Sequence, residues 1–344
     1  MTRTSTAHPV SARRRQALAA TVAAGAWLLA PAAQAQAPAA GADWPSKTIT
    51  LIVPYAAGGS SDTRARQLAD KLSNILGKTV IVDNKPGGNG NIGTDFIARA
   101  TPDGHTLGIG NLAPLAVNKS LFPRIPFDPQ KDLIPVALIE RGPLVLVVSA
   151  DRSPHKSLKE LLAAAKAAPG KMSYASAGSG GSFHLAGESL QVLTGIDTIH
   201  IPYRGGGPAI NDLLGGTVDY MFEMVPSSLG YLKSQPAKMR ALAVAHDKRV
   251  PSLPDVPTFA ELGVNDMVIS NWFGVVAPKG TPPAVVAKLN QAINQALKEP
   301  DLAKRITEPG NVVGGGTPED FARLIQSETQ RWGQLIKARN ITPD

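Results

Sequence analysis

The feature that most constrains this chain is a unit that recurs along it: a short apolar run, a glycine-rich turn, then a stretch with helical periodicity. "TITLIVP" (48–54) is β-branched throughout, as in a strand buried on both faces. It ends in "YAAGGSSD", after which Ala65, Leu68, Ala69, Leu72, Ile75 and Leu76 fall on one helical face up to a stop at Gly77. Ser60 or Ser61 is expected to cap that helix, with Asp62 in its first turn where the dipole favours an anion. The unit returns in "TVIVDN" through "KPGGNGNIG", in "HTLGIGN" into "LAPLAVNKSL", in "KMSYAS" through "AGSGGS", and in "DTIHIPY" through "RGGG". A further helix opens on the capping box "SLKE", Ser157 to Glu160.

Strands alternating with helices predict α/β architecture with parallel sheets covered by helices. Two groups of units, 46–142 and 143–250, are separated by the proline-rich "LFPRIPFDPQKDLIP", which is expected to join them. The C-terminal part adds "NWFGVVAP", a helix from Pro282 and a long final helix opening "TPED" at Thr317. Strands in a parallel sheet all end on one edge, and ligands bind in the crevice there. Two such sheets facing each other make a cleft lined by glycine turns and helix N-termini.

The N-terminus has a different composition. Arg3 and Arg13 to Arg15 precede the apolar "ALAATVAAGAWLLA" and the small-residue "PAAQAQA", which together read as an export signal over residues 1–35, cleaved after Ala35 or Ala37. The apolar stretch is shorter than the roughly 20 residues of a membrane span. Ser11, Arg14, Arg15 and Leu18 also fit a loose twin-arginine pattern, but the general secretory route is favoured. There is no cysteine, so neither disulfides nor a lipid-modified cysteine is expected in the periplasm. The formal charge of +8 falls to about +4 without the signal's arginines, and no basic stripe argues for nucleic acid.

Helix N-termini with free N–H groups bind anions. The two best candidates are the turn of Tyr55, Ala57, Gly58, Gly59, Ser60, Ser61 and Asp62, and that of Ser176, Ala177, Gly178, Ser179, Gly180, Gly181, Ser182, Phe183 and His184. A carboxylate gripped between them would hold two lobes together. Tyr203 and Arg204 stand at a strand's end, where Arg204 has the reach for a forked carboxylate contact, and Tyr55, Phe183, Phe222 and Trp272 are candidates for an apolar wall. Two other classes compete. An exported serine hydrolase would use Ser182 and His184, although no G-x-S-x-G occurs and a one-residue separation sends the side chains in different directions. A NAD(P)- or FAD-dependent oxidoreductase would use the literal G-x-G-x-x-G at Gly88, Gly90 and Gly93, but four residues intervene between the apolar run and Gly88, and Asp95 and Asp103 lie too close to serve the ribose. No metal-ligand spacing is found among the six histidines, and neither a cofactor nor a metal is expected.

Six ordered blocks carry a resemblance: "WPSKTITLIVPYAAGGSSDTRAR", "VIVDNKPGGNGNIGTDFIARATPDGHTL", "YASAGSGGSFHLAGE", "IPYRGGGPAINDLLGGTVDYMF", "RALAVAHDKRVPSLPDVPTFAELGV" and "GVVAPKGTPPAVVAKLN". Through them nearly the whole mature chain resembles the substrate-binding proteins of tripartite tricarboxylate transporters, the Bug family of periplasmic receptors. The resemblance implies a type II periplasmic-binding-protein fold, with residues 42–142 and 251–344 as lobe 1 and 143–250 as lobe 2. It implies a monomeric, non-enzymatic receptor that closes on a small carboxylate, a dicarboxylate or aromatic acid included, and delivers it to a membrane permease. In the family the carboxylate is held by the loop after the first strand and by a lobe-two helix N-terminus, partly through ordered waters. Those features map onto Tyr55 to Asp62 and Ser176 to His184, with Asn111, Tyr203, Arg204 and Phe222 as further pocket candidates. Tyr55 stands where the family commonly has phenylalanine and Arg204 where it frequently has lysine, so no particular ligand transfers.

Overall fold

The computed structural model describes residues 1, 2, 4, 43–339 and 341–343. The export signal and both cleavage positions lie outside the described residues, apart from residues 1, 2 and 4. From Asp43 onward the chain forms one compact unit.

The first strands obey the sequence grammar. β1 (Ile49–Val53) pairs in parallel with β2 (Val80–Asn84) on one side and β3 (Thr106–Asn111) on the other, so all three end on one edge. Between them run α1 (Ser60–Leu76), closed by Gly77 at φ 64°, and α2 (Asn91–Ala98). A π-helical turn at Ala113–Val117 leads from β3 into the single turn α3 (Asn118–Leu121).

The next strand departs from expectation. β4 (Leu133–Ser149) is 17 residues long and belongs to both halves of the ten-stranded sheet. Its first part, to Pro143, pairs antiparallel with β9 (Ser270–Pro278) and β10 (Val312–Gly315). From Leu144 it pairs instead with β7 (Tyr220–Met224) and β8 (Met239–Ala245), again antiparallel. The halves are therefore joined by a continuous strand, not by the proline-rich segment that precedes it. Pro143 has no N–H to give a ladder, which suits the point where the partners change. Beyond β7 come β5 (Ser173–Ser176) and β6 (Ile199–Pro202), both parallel, so the order is β2-β1-β3-β9-β4-β7-β5-β6 in a mixed sheet. The antiparallel members follow from the topology: β4 runs from the first half into the second, while β9, reached from β8 of the second half, runs back between β3 and the first part of β4.

The second half carries α4 (Leu158–Ala167), α5 (Ser182–Thr194), α6 (Gly206–Gly215) and α7 (Val225–Leu232). Ser157 caps α4 by accepting the Glu160 N–H at 3.3 Å, and Glu160 returns a carboxylate to the Lys156 N–H at 2.6 Å. The chain closes with α8 (Pro283–Lys298), α9 (Pro300–Thr307) and α10 (Pro318–Arg339) on the first half. β4 shows how one strand serves two apolar layers. Leu144, Leu146 and Val148 enter the main core with Tyr174 and Phe222, while Val145 and Val147 face α6 with Ile210 and Leu213. At the first half's edge, Arg64 of α1 makes a forked pair with Glu140 of β4, at 2.8 Å on each oxygen, and Asn311 adds a 2.7 Å bond to the same carboxylate.

Candidate functional site

The strand ends of the two halves meet around a narrow cavity of about 20 Å³, room for about one water molecule, so a larger ligand requires the halves to part. Its wall begins at the turn after β1. Gly58, at φ 87°, gives its N–H to Asp62 Oδ2 at 3.0 Å, while Asn84 Nδ2 ties Asp62 Oδ1 (3.0 Å) to the Tyr55 carbonyl (2.9 Å). Burial, the largest influence on Asp62, works against its ionisation, but bonds from Arg66, the Gly58 N–H and Asn84 outweigh it and hold the carboxyl below its usual range. Asp62 is thereby the clamp of the turn. The helix itself is capped by Gly59 with no side-chain bond, contrary to the expectation that Ser60 or Ser61 would cap it. Both serines line the cavity instead, beside first-turn N–H groups that no helix bond uses.

The second turn is built the same way. Ser176 Oγ accepts the Gly178 N–H at 3.1 Å, donates to the Gly178 carbonyl at 3.1 Å and lies 2.6 Å from His200 Nε2. Gly180 N–H donates to His184 Nδ1 at 2.8 Å, and α5 starts after Gly181, again without a side-chain cap. Ala177, Gly181, Ser182 and Phe183 line the cavity; Gly178, Ser179 and Gly180 complete the turn behind them. A third helix N-terminus closes the ring, because Gly206 at the start of α6 also lines the cavity. There Gly58 and Gly59 pack on Gly206 and Gly207 backbone to backbone, and Ala56 N–H donates to the Arg204 carbonyl at 2.8 Å. No side chain could intervene: a Cβ at Gly207 would stand 2.1 Å from the Ala57 carbonyl oxygen.

Tyr55 and Asn111 form one wall, with the Tyr55 hydroxyl donating to Asn111 Oδ1 at 2.9 Å. Burial pushes the Tyr55 phenol far above its usual range, against the opposing pull of the Asn111 bond, so it stays a donor across the physiological range. Tyr55→Phe should therefore destabilise the protein by about 1–3 kcal/mol in urea titration, the cost of leaving a buried amide oxygen without its donor. A change below about 0.3 kcal/mol would show that the bond contributes nothing net.

Three sequence candidates point elsewhere. Arg204 is exposed and meets the site through its carbonyl alone, Tyr203 gives its hydroxyl to Asp212 of α6 at 2.6 Å, and Phe222 is fully buried against Phe259. Trp272 likewise packs into the core against Phe321. Its neighbours Asn271 and Phe273 line the cavity, as two-residue alternation along β9 demands. The apolar run "NWFGVVAP" hid them by reading as buried on both faces. Asn89 was hidden inside the G-x-G-x-x-G. It sits at φ 55°, is fixed by its 2.7 Å bond to Asn118 Oδ1, and directs Oδ1 at the Gly178 turn across the cleft.

The Ser182 and His184 pair is not assembled for acyl transfer. His184 is buried, its Nδ1 takes the Gly180 N–H, its Nε2 faces Glu188 at 3.6 Å, and its ring stacks on His200 at 3.9 Å. The bond from His184 is the largest of the influences that hold the Glu188 carboxyl below its usual range. Among the described residues no group of three or more His, Asp or Glu side chains is placed to hold a metal. The lining as a whole offers hydroxyls, amides, aromatic faces and three helix N-termini, with no charged side chain. Such a surface attracts an anion through dipoles rather than ion pairs.

Residues 64–341 match the model of a family described as "Tripartite tricarboxylate transporter family receptor". Protein BugT of Bordetella pertussis is 40% identical over 302 residues, which cover 88% of this chain and 92% of that protein. Among solved structures, Rpa4515 of R. palustris with adipate is similar at 34% identity and a TM-score of 0.83, over 88% of this chain and all of that one. MatC of Rhodopseudomonas palustris with bound malate is similar at 33% identity and a TM-score of 0.79, over 85% of this chain and all of that one.

Proposed function

The chain belongs to the tripartite tricarboxylate transporter receptor family, and on that premise we propose that it is an exported receptor that captures a small carboxylate between its lobes and hands it to a membrane permease. The observation that carries this reading is the convergence of three helix N-termini, those of α1, α5 and α6, on a cavity with no charged side chain in its lining. A carboxylate bound there accepts several N–H and O–H bonds at once, each charge-assisted bond contributing about 1.5–3 kcal/mol. Grips at separate points of the wall favour a dicarboxylate, one end at α1 and α6 and the other at α5. Relatives solved with adipate and with malate support the same class. Phe183 and Phe273 add faces against which a ligand's carbon chain or ring can pack. Among the described residues no helix is long and apolar enough to cross a membrane. The periplasm is the site of action proposed from the basic and apolar N-terminal segment.

The test is a thermal-shift panel on protein lacking residues 1–37, with malate, succinate, adipate, citrate, benzoate, NAD and glucose. A carboxylate present at about 100 times its Kd should add about 2.7 kcal/mol of stability, a rise of roughly 5–10 °C. A panel in which NAD or glucose raises the melting temperature and no carboxylate does would end the reading.

A further inference from the structure

Directly behind the cavity wall, Glu223 of β7 is 0% exposed. Its Oε1 accepts the Met224 N–H at 2.7 Å, whereas Oε2 is left without a hydrogen-bond partner. The nearest hydroxyls are those of Ser60, which follows the Gly59 cap of α1, and of Ser227 of α7; Ser227 already donates to the Met224 carbonyl at 3.1 Å, which leaves Ser60 as the hydroxyl free to exchange a hydrogen with Oε2. On another side lies Gly206, so close that a Cβ there would stand 2.6 Å from Oε2. Ser60 and Gly206 both line the cavity, and they belong to opposite lobes. Glu223 thus sits one layer below the anion site, where the lobes meet.

Among the described residues no cation accompanies it. In the first turns of α1 the charged groups are already paired, Asp62 with Arg66 and Arg64 with Glu140 of β4. On α6 Asp212 takes the Tyr203 hydroxyl, and the facing positions on β4 and α7 are Val145 and Ser227. An ionised carboxylate here is a buried, unpaired charge, among the costliest groups a fold can hold. Burial is accordingly the largest influence and pushes the carboxyl up to about 7, against the opposing bonds from Met224, Ser227 and Ser60.

We propose that Glu223 governs the anion site through Ser60: in the ligand-competent state it is a protonated carboxyl that donates from Oε2 to Ser60 Oγ, and so leaves the Ser60 hydroxyl hydrogen turned into the cavity. A serine hydroxyl has one hydrogen. When Glu223 is ionised, that hydrogen is drawn to the carboxylate, and Ser60 presents lone pairs to an arriving anion. The proton on Glu223 therefore decides whether the α1 terminus greets an anion with a donor or an acceptor. Glu223 acts through Ser60 and is a positioning residue. The inference rests on the carboxylate-receptor reading above.

The sign of the pH effect follows. A carboxyl whose pKa is raised in the closed site favours that state below its ordinary value, and the advantage is lost as pH rises from there toward about 7. Malate and adipate are titrated by calorimetry into wild-type and Glu223→Gln protein from pH 5 to 8.5. The Gln amide donates to Ser60 at every pH, while ionisation of the probes occurs with both proteins and cancels in their ratio. The wild-type affinity should fall relative to Glu223→Gln by up to about tenfold per pH unit, flattening above pH 7. Wild type alone should take up as much as one proton on binding malate near pH 6.5, read from buffers of different ionisation enthalpy. Adding Ser60→Ala should weaken binding and abolish the difference between Glu and Gln. A ratio independent of pH, or a wild type that takes up no more protons than Glu223→Gln, overturns the inference and leaves the receptor reading intact. Failure of both probes to bind at any pH, with no response in the carboxylate panel, overturns the receptor reading and this inference together.

Discussion

Gly207→Ala should weaken malate or adipate binding by about 100-fold or more, roughly 2.7 kcal/mol, while the melting temperature of the unliganded protein stays near that of wild type. The expectation comes from what each lobe requires separately. Gly207 lies in the helical first turn of α6, outside the left-handed region, so alanine is compatible with its backbone. Within a helix the change even favours folding, by about 0.5–1 kcal/mol. The obstruction arises only between lobes, where the new methyl group would stand 2.1 Å from the Ala57 carbonyl oxygen and 3.4 Å from the Gly58 carbonyl carbon. Both are backbone atoms, so no side chain can rotate away. The turn after β1 must then stand off from α6, and the α1 and α6 N-termini no longer converge on one anion. Gly205→Ala is a poorer test, since Gly205 is at φ 141° and alanine would strain the lobe as well as the contact. Calorimetry with either dicarboxylate measures the effect. Unchanged affinity for Gly207→Ala would mean that the two glycine turns need not touch for binding.

The same turns mark how far the sequence was legible. Glycine and serine between a β-branched run and an amphipathic stretch identify a strand edge and a helix N-terminus by local rules alone. Tyr55, Ser60, Ser61, Ala177, Gly181, Ser182 and Phe183 could therefore be placed at the cavity before any coordinates. What local rules cannot supply is pairing at a distance. β4 lies opposite β9 although some 130 residues separate them, and nothing in "NWFGVVAP" announces an antiparallel partner. Without that pairing, Asn271 and Phe273 have no reason to face a cavity. Tyr203 and Arg204 illustrate the converse. Standing at the end of β6 they had a reasonable geometric claim, but Asp212, nearly two helical turns along α6, captures the Tyr203 hydroxyl, and the chain turns Arg204 outward while using its carbonyl. Glu223 was invisible for a different reason: one acid in the apolar "YMFEM" gives no sign of its surroundings, and only the covering of β7 on both faces makes it a buried carboxyl.

Breaking the pair of Arg64 and Glu140 should have the largest effect on the fold itself. The two side chains are 3% and 2% exposed and meet through two bonds of 2.8 Å, with Asn311 completing the carboxylate at 2.7 Å. Removing one member strands a buried charge, which costs about 3–5 kcal/mol, so Glu140→Gln or Arg64→Ala should lower the melting temperature by on the order of 10 °C. Arg64→Lys should recover little, because an ammonium cannot reproduce the fork. The pair joined in one double variant, Arg64→Met with Glu140→Leu, separates charge from shape. Both desolvation costs disappear together, and the remaining loss is that of the Asn311 amide, about 1–3 kcal/mol, less than either single change. If the double variant were as unstable as the sum of the singles in denaturant titration, the stranded-charge account would fail and the pair would have to contribute mainly through packing. The outcome also bears on function, since β4 is the strand that passes from one lobe to the other. Glu140 precedes by three residues the point where its partners change, so Arg64 fixes α1, and with it the Ser60 terminus, to the strand about which the lobes are joined.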